Sequence, residues 1–568
     1  MAQQQQNITI AAPGFYGLNT EDSPLQQDTG YALVADNAVV DRFGRIGSRK
    51  AWAEFTTSIN ITYTPAVGVV RTEQIVDRIG SGVVNGVQTV LCTLSVFQYD
   101  AADSLIREDY FLCKLEEPSG GVFEISELPL PAVAVDSFLT DAQIIMFNDV
   151  AYVFSKGNDV LKYDGTTVTN LFSGTVNVDY IPPQDDTGIF ATTMNGDVAC
   201  AAYGRMWVTG VNGDYQNIYY SDLLAPTKWY DGKAAPTDSL NTAGIIDVAL
   251  YWPNGTDRIV GITAHNGFLF VFGRQSILVY GGISEDPAGT SGAFLQDAIP
   301  NIGLVSRDAI TNTGADILFV DDSGVRSAGR TIQEKSVPLG DLTGNIRGDI
   351  TDVIAQTADK TTISLDYWAD ESLIVVQFSD QGLSYALESR QPSPSGALKV
   401  TRWTDCRFNR SMYYETSGTA RVLLCGNQDN AGLLIYDGSL QYDNMPYEFK
   451  YESNALTFGQ PANTKFLKQI DYTVVSTQVN AQGFAGWGYS GALDYSKRLS
   501  IAASTPALFG LAQYNIDEFG PGLATIRRYR VNTKGSGETV VIGLRVDING
   551  NSCSLQEINV QTLLGRLN

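Results

Sequence analysis

GITAHNGFLFVFGRQSILVYGG (Gly261–Gly282) and NIGLVSRDAITNTGADILFVDDSGVRSAGR (Asn301–Arg330) decide how this chain is read. In the first, the apolar runs Phe268–Phe272 and Ile277–Tyr280 flank a turn of Gly273, Arg274 and Gln275. β-branched and aromatic residues bounded by turn residues are the pattern of a β-hairpin. The second repeats it, with Ile317–Val320, the turn Asp321-Asp322-Ser323-Gly324, and Val325 onward. Gly and Asp supply the backbone freedom and local hydrogen bonds that tight reversals need.

Comparable units run through the chain: Val90–Tyr99 with Tyr110–Cys113, Asn148–Gly165, Tyr203–Asp222, Asn266–Gly281, Gly314–Gly329, Glu371–Leu387 and Thr419–Gly438. Successive starts lie about 50–60 residues apart, the period of four-stranded propeller blades. The spacing predicts an all-β chain of β-propeller-like repeats of four-stranded blades over residues 61–445. Six or seven units would close the ring. Ile346, Ile350 and Ile354 fall four apart and predict one short helix covering an edge or filling a gap between blades.

The flanks read differently. Residues 1–60 read as an N-terminal arm and anchoring strand, carrying Arg42, Arg45, Arg49 and Lys50. These cations are either a charged strand edge that discourages aggregation or a patch meeting acidic surface on a neighbour. Residues 446–568 read as a separate antiparallel β-domain. There Ile470, Tyr472 and Val474 alternate with Gln469, Asp471 and Thr473, and Leu544, Val546 and Ile548 lead into Asn549-Gly550. That dipeptide predicts a hairpin returning through Leu555, Ile558 and Val560. Arg527, Arg528 and Arg530 form a second basic cluster and candidate interface.

Of 568 residues, 62 are acidic and 38 basic, a formal charge of −24. Such a surface argues against gripping nucleic acid by its phosphates, while leaving room for a polymer that slides past. The six cysteines are scattered without Cys-x-x-Cys spacing and read as reduced, buried thiols. The start has neither basic nor apolar signal regions, and no apolar run approaches a membrane span. The expectation is a soluble protein made in a cytoplasm.

Catalytic patterns are sparse. His265 is the one histidine, placed by a turn, so a triad or a histidine-rich zinc site lacks its parts. No glycine loop ends in Gly-Lys-Ser/Thr. Acidic loops such as Asp321-Asp322 and Asp185-Asp186 could hold a cation or supply a glycosidase carboxylate pair. No cofactor, metal site or catalytic residue is expected.

The stretch Gly14–Trp52 contains Gly17-Leu18-Asn19, then Ala35-Asp36-Asn37-Ala38 and the basic Gly44-Arg45-Ile46-Gly47-Ser48-Arg49. Farther on stand Val271–Ile277, Asn301-Ile302-Gly303-Leu304, the Asp321–Gly324 hairpin, and a helix. This order resembles the short-tailed bacteriophage tail hub or nozzle family, also called tail tubular protein B or packaged-DNA-stabilisation protein. The resemblance covers about residues 12–60 and 200–360; residues 61–203 show no clear match. It implies a virion tail protein in a homo-oligomeric ring, six-fold in the family, below the portal and adaptor. It further implies tail fibre or needle neighbours, and a channel that retains the packaged genome and conducts it without sequence-specific binding. A carbohydrate-binding or glycan-cleaving propeller tail component is the alternative, although no Asp-box repeat supports it.

Overall fold

In a computed structural model of the chain, each sequence repeat supplies the second and third strands of a propeller blade. The structure describes residues 5–11, 14–131, 139, 141–171, 194–229, 242–283, 293–334, 341–416, 419–425, 432–437, 446–476, 481–489, 492–501, 525–550 and 552–567. Asp185-Asp186 lies outside these residues. The opening stretch forms a complete blade of Ile259–His265, Phe268–Gly273, Ser276–Gly281 and Phe294–Pro300, all antiparallel. Its middle strands are buried on both faces, because neighbouring blades cover them.

Five blades stand as separate small sheets. They are blade 2 (Gln143–Phe147 to Val168–Asn170), blade 3 (Val198–Ala202 to Gly244–Asp247), blade 4 as above, blade 5 (Ile310–Asn312, Ile317–Asp321, Gly324–Ser327) and blade 7 (Arg410–Thr416, Thr419–Cys425, Leu434–Asp437, Ala51–Glu54). Two more belong to larger sheets: blade 1 (Arg71–Val84, Val87–Tyr99, Leu105–Ser119, Val122–Glu127) and blade 6 (Ile363–Trp368, Leu373–Phe378, Leu383–Glu388, Lys399–Thr404). Their first strands form the circle. Arg71–Val84 packs on Gln143–Phe147, which packs on Val198–Ala202, then Ile259–His265; Ile310–Asn312 packs on Ile363–Trp368, then Arg410–Thr416, which returns to Arg71–Val84. The join between blades 4 and 5 carries an Asn312 side-chain hydrogen bond to the Ala264 carbonyl.

Among the described residues blade 5 has three strands, with an isolated antiparallel bridge from Arg326 to Asp341 beside the last. The helices Ala328–Glu334 and Arg347–Gln356 pack beside its last strand, and Ile346, Ile350 and Ile354 are buried there as their spacing predicts.

Residues 1–60 are not a separate arm. Gln5–Ile10 pairs antiparallel with Cys553–Leu567, and Tyr31–Asp36 pairs with Tyr447–Ser453. Ala51–Glu54 completes blade 7 as its outer strand, and Thr56–Asn60 adds a fifth, parallel strand to blade 1. Local reading missed this because the partners of the first three lie hundreds of residues away in the chain, from Ala51↔Asp437 to Gln5↔Leu563, and an isolated strand does not announce its mate.

The remaining N-terminal strands and residues 446–567 make a two-sheet sandwich. One sheet orders Tyr31–Asp36, Tyr447–Ser453, Val540–Ile548, Ala481–Tyr489 and Ala492–Ile501. The other orders Thr525–Asn532, Asn463–Ser476, Cys553–Leu567, Ile46–Ser48 and Ala38–Val40. Ile470, Tyr472 and Val474 meet Leu544, Val546 and Ile548 in its core. Asn549-Gly550 is therefore a corner between sheets, not a hairpin turn: the strands on either side pair with different partners. Gly550 still has φ +70°, as the sharp reversal requires.

The first sandwich sheet continues into blade 6. Asp36 pairs in register with Arg402, whose guanidinium donates to both Asp36 carboxylate oxygens at 2.8 and 3.0 Å.

Candidate functional site

Propellers gather the starts of their first strands around one axis, so the side chains there come from segments far apart in sequence. In this chain the axis is closed by charge. Arg78 of blade 1 reaches Asp141, on the approach to blade 2, at 3.0 Å, and Asp308, on the approach to blade 5, at 3.5 Å. Arg307 pairs with Asp141 at 2.8 Å and Asp308 at 3.3 Å, and also donates to the Asp141 and Asp197 carbonyls. Arg410 of blade 7 donates to the Asp308 carbonyl at 2.8 Å and lies 3.7 Å from the carboxylates of Asp308 and Asp366. Six of the seven blades are tied into this network.

The electrostatics follow from burial and neighbours. Burial opposes charge on Asp308, but the guanidiniums of Arg307, Arg410 and Arg78 outweigh it and hold the carboxyl well below its usual range. For Asp366, burial wins over Arg410 and the Ser411 hydrogen bonds, and its pKa is raised. Asp197 is raised for the same first reason, against the Tyr215 hydroxyl and Arg307. Asp77, beside Arg78, is pushed up to about 7 by burial despite the Ser95 hydroxyl hydrogen bond and Arg78.

Above the network the first strands of blades 2 to 5 line a cavity of about 350 Å³, with Gln143, Cys200, Thr263 and Ile310 on its walls and Arg307 and Arg410 at its floor. Gln143 bridges blades 2 and 3 by accepting from the Ala199 N–H and donating to its carbonyl. The axial carboxylates are engaged with guanidiniums or hydroxyls, an arrangement that ties blades together.

The basic residues singled out in the sequence fare differently. Arg49 is 1% exposed, its guanidinium stacked between the Trp52 and Tyr447 rings at 4.3 Å from each and bonded to Asn37. It cannot meet a neighbouring molecule; it joins the sandwich to blade 7. Lys50 pairs with Glu371 inside the chain. Arg45 pairs with Asp41 at 2.6 Å, and Arg42 and Arg45 both lie over the exposed Phe43 ring. Arg42–Lys50 is thus no single patch. Arg528 and Arg530 do come together, over the buried Asp471 at 3.4 and 3.1 Å, and stay more than half exposed. Arg527 points to the opposite face of that strand.

The acidic turn at Asp321-Asp322 is spoken for. Asp321 pairs with Arg326 at 2.6 Å and Asp322 with Arg274. Among the described residues no cluster of three or more His, Cys, Asp or Glu is placed to hold a metal. His265 ends the first strand of blade 4, half-buried. Cys92, Cys113, Cys406 and Cys553 are buried free thiols, as the sequence suggests, and Cys200 is half-buried. No helix among the described residues is long and apolar enough to cross a membrane.

Sequence reading missed the axial network, yet a signal existed. Asp77, Asp141, Asp197, Asp257, Asp308 and Asp366 recur at intervals of 64, 56, 60, 51 and 58 residues, each within or just before the first strand of one of blades 1 to 6, and all but Asp257 stand in or beside the network.

No family model matches the sequence and no curated protein matches it. Among solved structures, the chain is similar to an exo-β-1,3-galactanase from Phanerochaete chrysosporium (12% identity, 86% of this chain and 100% of that one, TM-score 0.22). It is also similar to a protein from Lactobacillus plantarum (10%, 59% and 97%, TM-score 0.30). For the CNH domain of AfRom2 (12%, TM-score 0.23) it covers 44% of this chain and 63% of that one, under two thirds of its length. Likeness this distant assigns no chemistry to the present chain.

Proposed function

We propose that this propeller protein is a structural subunit, a tail hub or nozzle component that works by assembling into a ring around a genome channel. The observation that carries the proposal is the stoppered axis. Three arginines and their carboxylates bridge six blades across the propeller's own axis, which favours passage between chains over passage through one. Two features agree with it. The sandwich and blade 6 share one sheet, giving a stiff body suited to bearing load. Residues 51–445 hold 48 acidic and 23 basic side chains, a net −25, which repels a sliding polyanion. Native mass spectrometry with electron microscopy of the purified chain tests it: closed rings are expected, and a strictly monomeric chain sinks the proposal.

A carbohydrate-binding propeller is the second reading, favoured by a groove of about 740 Å³ on blade 1. Gln88, Lys114 and Glu116 line it together with Phe123, Tyr163 and Tyr414. Mixed aromatic and polar linings of this size suit sugars. Calorimetric titration with host surface polysaccharide decides this reading; heat that vanishes in Lys114→Ala would support it.

A further inference from the structure

Blade 1 carries two cysteines in register. Cys92 on Val87–Tyr99 and Cys113 on Leu105–Ser119 are direct partners in an antiparallel pair, inside an unbroken run from Arg107↔Gln98 to Lys114↔Leu91. Each strand is paired on its other edge as well, Cys92 opposite Ile79 and Cys113 opposite Glu127, which holds the register. Directly opposed residues point to one face of a sheet. Here that face meets blade 7: both cysteines pack with Phe111, Tyr414 and Ile435, while Leu91 and Leu112 beside them face blade 2. Opposed residues of an antiparallel pair have Cα atoms about 4.5 or 5.5 Å apart. Disulfides span about 4.4–6.8 Å between Cα atoms, so the backbone already stands at the separation such a bond needs.

The other cysteines have no such mate in the sheets. Cys200 stands opposite Trp207, Cys425 opposite Arg410 and Cys553 opposite Ser476, and Cys406 follows the last strand of blade 6. Burial also pushes the thiols of Cys406 and Cys553 up to about 12, which keeps them protonated and inert. A way in exists beside the blade 1 pair. The groove of about 740 Å³ on that blade has Leu115, Phe123 and Tyr414 on its wall, and these pack in the same cluster as Cys92 and Cys113. Both thiols are 0% exposed, so what reaches them must be close to water in size and enter during brief local opening.

We infer that Cys92 and Cys113 are a redox pair, which hydrogen peroxide closes to a disulfide and a small dithiol reopens. One thiol, as its thiolate, attacks a peroxide oxygen; the O–O bond breaks, and a sulfenic acid and one water result. The second thiolate attacks that sulfur, the S–O bond breaks, and the S–S bond forms with release of a second water. The two thiols give up two electrons and two protons, and the peroxide ends as two waters. Exchange with the dithiol reverses the bond, the dithiol leaving as its own disulfide. The bond ties the second strand of blade 1 to the third, on the face where blade 7 closes the circle. It stiffens that junction in an oxidising medium and releases it in a reducing one. It needs no second chain, so it stands apart from the hub reading.

Peptide mapping of the folded full chain tests the pair. Treated with hydrogen peroxide, alkylated and digested without reductant, it should yield one peptide joined through Cys92 and Cys113, which dithiothreitol splits. Thiol titration after unfolding should show two of the six thiols lost. Hydrogen exchange across residues 90–115 should slow at least about ten-fold in the oxidised chain. Cys113→Ala should abolish the joined peptide and leave Cys92 as a sulfenic acid that dimedone traps. The wild-type map stands without that variant, so a poorly folded Cys113→Ala leaves the test intact. Sulfinic acid at Cys92 and Cys113 with no joined peptide overturns the pair, as does a bond to any other cysteine. A joined peptide that forms only in urea, or a folded chain that keeps all six thiols, overturns it too. A bond that leaves hydrogen exchange unchanged overturns the stiffening.

Discussion

Arg49 illustrates how a single side chain fixes the relation between two domains. Its guanidinium is held flat between Trp52 of blade 7 and Tyr447 of the sandwich while it donates to Asn37 and to the Lys50 carbonyl. Asn37 in turn donates to Thr404 and the Glu448 carbonyl, so one small cluster fastens four strands. Replacing Arg49 by Ala should lower unfolding free energy by about 2–4 kcal/mol, through lost ring stacking and orphaned buried acceptors. Lys should recover less than half, since a compact ammonium cannot stack and fork together; urea unfolding measures both. Asp77 governs a pH effect. Its carboxyl titrates near 3.8 when unfolded and is raised to about 7 when folded, so the native state holds the proton more tightly between those values. That stability is complete below about pH 4 and is lost as pH rises through about 7. Melting temperature should fall from about pH 5 to about pH 8, and Asp77→Asn should flatten the fall. A carboxyl raised from 3.8 to about 7 bounds the effect at about 4 kcal/mol; a variant with the wild-type slope would refute the assignment.

At the level of elements, Arg307 ties together the starts of blades 2, 3 and 5. Arg307→Met would leave the buried Asp308 to Arg78 and Arg410 and the half-exposed Asp141 to Arg78 alone, and would strip the Asp141 and Asp197 carbonyls of a donor, a loss of about 1–3 kcal/mol. Thermal unfolding should show it, with Arg307→Lys intermediate. Which strands were legible in the sequence has a physical cause. Second and third strands such as Phe268–Gly273 are covered on both faces by neighbouring blades and so appear as unbroken apolar runs. First strands line the axis, where space and polarity vary; Gln143–Phe147 is half-buried throughout and gives no clean alternation. The helix Arg347–Gln356 was legible because Ile350 and Ile354 both turn to blade 5, and its place beside the last strand of that blade agrees with the edge-covering part expected of it. Asn549-Gly550 has the composition of a hairpin turn, but turn chemistry sets a reversal, not the partner of the returning strand. The basic residues of Arg42–Lys50 were visible, yet burial of one and internal pairing of others depend on contacts hundreds of residues away.

For the molecule as a whole, one sheet runs from blade 6 through Lys399–Thr404 and Tyr31–Asp36 into the sandwich. The two domains should therefore melt together. Calorimetry is expected to give one transition, whereas two well-separated peaks would show that the shared sheet does not couple them. The seven-fold circle was foreshadowed by the repeat period, but its closure by Ala51–Glu54 was not. That closure also sets a timetable. Ala51–Glu54 waits for Leu434–Asp437, and Gln5–Ile10 waits for residues 558–563. At about 5–20 residues per second on the ribosome, these strands are without their partners for about 20 s to two minutes. Newly made chain must pass that interval with bare edges, so its yield in the cell should depend on the speed of translation and on chaperones as much as on the stability of the finished fold.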